Sequence, residues 1–222
     1  EASLWGRLEH KNILPLLGIS PFKGVFHLVS PFMKGGNAMD FVQRNPGANR
    51  LQLLLQAAQG LEYMHTRSPP IIHGDLKGDN ILVSDDGIAY LSDFGLSRPL
   101  ADVKPGEIFG SAGSLLASGA SAGGMTTGGN FRYLSPELLL GEGSKSLASD
   151  VYSFGRVILE ILTGQVPFAD LTSDLEIITR IVESTHERPD PLVYEDVDDS
   201  MWALLLRCWS FDPAHRPHIS EI

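Results

Sequence analysis

Apolar residues along the chain fall into runs of two distinct periods. From Leu51 to Met64 the positions Leu51, Leu54, Leu55, Ala58, Leu61 and Met64 recur at three- and four-residue steps, which predicts a helix with one buried face. Ser68, Pro69 and Pro70 end it. Two short apolar runs, Ile81 to Val83 and Ile88 to Leu91, flank Asp85, Asp86 and Gly87, so a β-hairpin is expected. Between Val151 and Leu162 apolar residues occupy nearly every side of the helical wheel, which places that helix in the middle of the domain, closed by Gly164 and Pro167. Val25 to Val29 reads as a strand, and Leu171 to Val182 and Met201 to Trp209 as further amphipathic helices, so helices dominate after residue 36. The stretch 105–129 stands apart, because Gly, Ser and Ala fill it. Its apolar residues, Ile108, Phe109, Leu115 and Leu116, are too few to offset the ordering entropy of so many glycines, which predicts a mobile loop.

Composition narrows the possibilities. With 222 residues, 43% of them hydrophobic, the chain can bury a core, and the length fits one large domain. Seventeen Lys and Arg against twenty-seven Asp and Glu give a formal charge of −10, which repels a phosphate backbone and an anionic membrane surface alike, so nucleic acid is not an expected partner. The single cysteine, Cys208, forms no internal disulfide and fits a reducing, cytoplasmic compartment. No apolar run is long enough to span a bilayer, and no signal pattern opens the chain, so no membrane partner is expected in this segment. The start at Glu1 is read as that of a fragment.

The chemistry concentrates between Ile72 and Gly95, where His73, Gly74, Asp75, Leu76, Lys77, Gly78, Asp79 and Asn80 lead into the hairpin and then into Asp93, Phe94 and Gly95. In order and spacing this stretch resembles the catalytic loop and metal-binding motif of eukaryotic protein kinases, and the wider resemblance covers nearly the whole chain. It implies an α+β, two-lobe kinase fold with a partial N-lobe and a mainly helical C-lobe. Residues 1–33 would be the remnant of the N-lobe and hinge, 34–222 the C-lobe, and 93–137 a long activation segment. It also implies ATP and Mg²⁺ as cofactors and a protein as substrate. Moving a γ-phosphoryl group demands an in-line nucleophile and neutralisation of charge, with little covalent help from the protein. By the resemblance Asp75 meets the incoming hydroxyl, and Lys77 reaches the transferring phosphate as a point charge. Asn80 and Asp93 give Mg²⁺ the oxygen ligands that a hard ion takes, from opposite ends of one hairpin. Lys77, within Asp-Leu-Lys-Gly-Asp-Asn, resembles serine/threonine kinases, and Cys208 and Trp209 before Asp212 resemble the tyrosine-kinase-like branch, whose members mostly phosphorylate Ser and Thr. A tyrosine kinase and a pseudokinase that works as a binding module stay open as alternatives.

The same resemblance assigns further positions. Ser135, Pro136 and Glu137 match the end of an activation segment, and Glu137 is expected to pair with Arg216. Asp150 would hold the backbone of the catalytic loop. Glu1 matches the helix glutamate that pairs with the ATP-binding lysine. Trp5, Leu16, His73 and Phe94 match an internal hydrophobic column. Ser30 falls at the gatekeeper position and Met33 in the hinge, and with Leu82 and Asp93 they complete the expected nucleotide contacts.

Departures from the family pattern bear on activity. A Gly-rich loop and a strand lysine would precede Glu1, and neither occurs in these residues, so negligible transfer is expected from the chain as given. Gly74 stands where most members carry an arginine that answers a phosphate on the activation segment, and Arg98 reads as the one obvious basic residue left nearby. Thr126, Thr127, Ser111, Ser114, Ser118 and Ser121 are candidate phosphorylation sites. Asn130 replaces a usual threonine, and its amide can still hydrogen-bond to Asp75 or Lys77.

Overall fold

The computed structural model describes residues 1–103, 130–190 and 192–222. Its helices are α1 (Ala2–Trp5), α2 (Ala38–Arg44), α3 (Arg50–His65), α4 (Pro136–Leu139), α5 (Leu147–Thr163), α6 (Asp174–Val182) and α7 (Asp199–Cys208). The strands are β1 (Gly18–Phe22), β2 (Val25–Val29), β3 (Gly36–Asn37), β4 (Ile71–Ile72), β5 (Ile81–Val83), β6 (Ala89–Leu91) and β7 (Arg98–Pro99). They form three antiparallel sheets, β1-β2, β3-β5-β6 and β4-β7. The class is α+β, with the two longest strands before residue 36 and the long helices after it.

Local chemistry explains the main elements. β1 and β2 pair from Gly18↔Val29 to Phe22↔Val25 across Lys23 and Gly24, whose φ values of 49° and 78° are the doubly positive pair that a tight two-residue hairpin turn needs. The expected hairpin at β5 and β6 is present, with Gly87 at φ 74° in its turn. The segment ahead of β1 is tied to this hairpin: the Leu14 amide donates to Leu91 O at 2.8 Å and the Leu91 amide to Asn12 O at 2.9 Å.

The helix α3 starts where Asn49 accepts a hydrogen bond from the Gln52 amide. Its buried face is Leu53, Leu54, Ala57, Leu61 and Met64, whereas Leu51 and Leu55 are 45% and 51% exposed and Ala58 is half-buried. This corrects the expected face. The helix packs on β6 and α5, and those two surfaces meet a stripe one position round from Leu51 and Leu55.

A reciprocal Ser146 and Ser149 capping box opens α5, and Gly164 closes it in the left-handed region at φ 71°. Its Tyr152, Phe154, Val157, Ile158, Ile161 and Leu162 are all buried, and burying each such side chain stabilises by about 1.5–3 kcal/mol. The helix expected from Leu171 begins only at Asp174, where Asp174 and Glu176 place negative charge at the positive end of the helix. The one expected from Met201 begins earlier, at Asp199, because the Asp198 side chain accepts from the Met201 amide. It ends at Cys208, with Trp209 as the C-cap.

Among the described residues no helix is long and apolar enough to cross a membrane. The loop expected at 105–129, with Ser111, Ser114, Ser118, Ser121, Thr126 and Thr127, lies outside them.

Candidate active site

The candidate catalytic loop runs from β4 to β5. Buried His73 sets its geometry. Its Nε2 lies 3.0 Å from Ser92 O and its Nδ1 3.3 Å from the Asp75 amide, so the network assigns the proton to Nε2 and the acceptor role to Nδ1. Burial holds this imidazole below the ordinary histidine range, which favours that neutral form. Asp75 follows with a side chain 10% exposed. Lys77 Nζ donates to Asp75 Oδ2 at 3.1 Å, and Asn80 Nδ2 donates to Asp75 O at 2.7 Å and to Oδ2 at 3.0 Å. Among the described residues both side-chain donors fall on Oδ2, which leaves Oδ1 open to accept a proton. Both amide hydrogens of Asn80 are taken up by Asp75, so its Oδ1 is the oxygen left for a ligand.

The open end of the β5–β6 hairpin brings Asn80 close to the Asp93 segment. Asn80 O accepts from the Ser92 amide at 2.9 Å and from Ser92 Oγ at 3.0 Å, one residue before Asp93. Asp93 is exposed and sits at φ 60°, a left-handed conformation uncommon for a side-chain-bearing residue. A Cβ placed on Gly95 would lie 3.3 Å from Asp93 Oδ1 and 3.6 Å from Glu1 Oε2, so Glu1 is brought to the Asp93-Phe94-Gly95 turn. The column resolves as Trp5, Phe94 and His73, with ring centroids 5.6 Å apart at each step, and Leu16 packs half-buried against the core.

The expected nucleotide contacts are arranged around the start of β3. Met33 is half-buried on the core, and its carbonyl accepts from the Gly36 amide at 3.0 Å. Leu82 is half-buried on β5, opposite Asn37. Gly35 crosses so near to β5 that an added Cβ would stand 2.4 Å from Val83 O, so this junction needs glycine. Ser30 is half-buried just after β2, and among the described residues no hydrogen bond ties it to the catalytic loop.

Helix α5 grips the loop from beneath. Asp150 accepts from the His73 amide at 2.7 Å through Oδ2 and from the Gly74 amide at 2.8 Å through Oδ1, and its Oδ2 lies 3.0 Å from His65 Nε2. The second grip was not read from the sequence. Glu160, 2% exposed, accepts from the Gly78 amide at 3.0 Å and from the Tyr133 hydroxyl at 2.8 Å. Burial pushes its carboxyl up to about 7, and the Tyr133 phenol is also raised, by burial and by Glu160, so it stays a donor. An acid inside the otherwise apolar run Val157 to Leu162 was the available signal.

Arg98 is not the only basic residue close to Gly74. Lys145, 6% exposed, donates from Nζ to the Gly74 carbonyl. The Glu137–Arg216 pair forms as expected, with two contacts of 2.7 Å and an Arg216 side chain of zero exposure.

Comparison with known proteins agrees with this geometry. Residues 1–222 match the model of the family described as protein tyrosine and serine/threonine kinase. The chain is 31% identical to the probable serine/threonine-protein kinase roco11 of Dictyostelium discoideum, over all of this chain and 14% of that protein. It is 32% identical to receptor-interacting serine/threonine-protein kinase 3 of Rattus norvegicus, over 96% of this chain and 45% of that protein. It is 30% identical to ephrin type-B receptor 2 of Gallus gallus, over all of this chain and 21% of that protein. The chain thus spans less than half the length of each of these relatives. Matched from its first residue to its last, it belongs to the protein tyrosine and serine/threonine kinase family and is a protein kinase domain.

Proposed function

We propose that this domain transfers the γ-phosphoryl group of ATP to serine and threonine hydroxyls of protein substrates. The observation that carries the reading is the Asp75 carboxylate, held through Oδ2 by Lys77 and Asn80 with Oδ1 open. In that state Oδ1 accepts the proton of a hydroxyl aligned for attack, and Lys77 keeps positive charge beside the reacting group. Asn80 Oδ1 and the Asp93 carboxylate are oxygen ligands, a donor set that fits Mg²⁺, which takes one or two protein oxygens and completes its shell with phosphate and water. Among the described residues no cluster of three or more His, Cys, Asp or Glu offers a competing all-protein metal site. Mg²⁺, when bound with ATP, would neutralise phosphate charge. Met33 and Leu82 would pack against the adenine, with Ser30 behind it, and Glu1 would pair with the lysine that contacts the ATP phosphates.

The preference for Ser and Thr rests on Lys77 within the catalytic-loop motif, and relatives named serine/threonine-protein kinases support it. The test is phosphotransfer by the full-length protein to a peptide mixture, followed by phosphoamino acid analysis. Phosphoserine and phosphothreonine are expected, and Asp75→Asn should lower kcat by about 10²–10⁴-fold. Phosphotyrosine as the main product would overturn the acceptor assignment, and undiminished turnover in the variant would overturn the role of Asp75. Partner binding without any transfer would favour a pseudokinase.

A further inference from the structure

The residue before the candidate base is a glycine in the left-handed region, at φ 79°, the most easily reoriented backbone available. The Gly74–Asp75 peptide nevertheless has both of its polar groups occupied. Its amide, that of Asp75, points to His73 Nδ1 at 3.3 Å, and its carbonyl, that of Gly74, accepts from the Lys145 ammonium. Lys145 comes from the segment between α4 and α5, 71 positions along the chain, and enters the space that a side chain at 74 would need. A Cβ on Gly74 would lie 3.1 Å from Lys145 Cδ and 3.1 Å from Leu96 O.

A buried ammonium is costly unless hydrogen-bonded and balanced by charge. Burial lowers Lys145 from the usual lysine range, Asp75 and Asp150 oppose that shift, and Arg98 adds to it. The two attracting carboxylates are the candidate base and the acid that holds the neighbouring amides. Lys145 therefore lies within electrostatic reach of both carboxylates.

We propose that Lys145 is a positioning residue for phosphoryl transfer, fixing the Gly74–Asp75 peptide through the Gly74 carbonyl and so presenting the Asp75 carboxylate. The inference rests on the reading of Asp75 as the base. Lys145 touches neither nucleotide nor acceptor in this role. Its loss should disturb the chemical step and leave nucleotide affinity largely alone.

Lys145→Met and Lys145→Arg, made in the full-length protein, test it by steady-state kinetics and by amide hydrogen exchange over residues 72–78 and 151–162. The expected result for the Met variant is a fall in kcat of about 10–10²-fold with little change in KM for ATP. Its exchange protection should drop in the loop and persist in α5. The Arg variant, which can donate to the same carbonyl, should recover most of both. Unchanged kcat and loop protection in the Met variant, an effect on KM alone, or an equal loss of protection in loop and α5 would each overturn the proposal. If the unaltered protein transfers no phosphate, the kinase reading fails on its own account, and the exchange comparison still decides whether Lys145 fixes the loop.

Discussion

Cys208 lies on α7 with no exposed surface, and burial pushes its thiol up to about 12. The thiolate is the reactive form, so at neutral pH this cysteine is a packed apolar residue with a masked nucleophile. Iodoacetamide should leave it unlabelled in the native protein under conditions that alkylate it fully in urea. Equal labelling in both states would show that α7 does not pack as described. Residues of this kind divide by how far their meaning is local. Asp75, Lys77, Asn80 and Asp93 were legible as a candidate set because they stand in one short, ordered stretch, and the fold brings Asp75, Lys77 and Asn80 into contact, with Asn80 bonded to the residue before Asp93. Lys145 was not, because a lone lysine among Gly, Ser and Leu reads as solvated. Its burial depends on the space left at Gly74, and no local pattern encodes that.

Helix α5 shows what one element contributes. Asp150 near its start and Glu160 ten residues on hold the two ends of the catalytic loop, about 15 Å apart along the axis. Glu160 makes this support pH-dependent. Its folded-state carboxyl, raised from 4.5 to about 7, binds a proton in a window where the unfolded chain has released it. The contribution to stability is therefore full below about pH 4.5 and is lost as pH rises through about 7, with an amplitude on the order of 3 kcal/mol. Glu160→Gln, which cannot titrate and can still accept from Gly78, should gain stability relative to the unaltered protein between pH 5 and pH 8 in urea titrations. Parallel curves would mean that Glu160 is not held neutral.

The existence of α3, α5 and the β5–β6 hairpin followed from apolar period and turn residues. The buried face of α3 did not, since Leu51, Leu53, Leu54 and Leu55 spread apolar surface round the helix and only its packing on β6 and α5 selects a side. β1 was unread because Pro21 interrupts it. The pairing Pro21↔Phe26 is possible because proline is tolerated on an edge strand.

Across the whole molecule the Arg216 guanidinium joins distant parts. It bonds both oxygens of Glu137, the Ala148 carbonyl at the start of α5, and the Ser210 and Phe211 carbonyls, and it lies 5.1 Å from the Tyr152 ring centroid. Removing it strands a carboxylate that is 14% exposed, so Arg216→Ala should destabilise by about 3–5 kcal/mol. At roughly 2–4 °C per kcal/mol for a domain of this size, Tm should fall by about 10 °C, and a scanning calorimetry shift of under about 2 °C would contradict the bridging role. This pair was visible in advance because two motifs 79 positions apart in the chain required it. That Lys145 and Glu160 converge on the loop Asp150 was expected to hold became visible only with the fold.

The β1–β2 hairpin has a different consequence. Ile19, Phe22, Val25, Phe26 and Val29 are all exposed on it, and among the described residues neither outer edge is paired. Such an edge is a template on which any compatible strand can crystallise, its own copies included. The hairpin therefore offers a partner strand free hydrogen-bonding groups and an apolar surface at once.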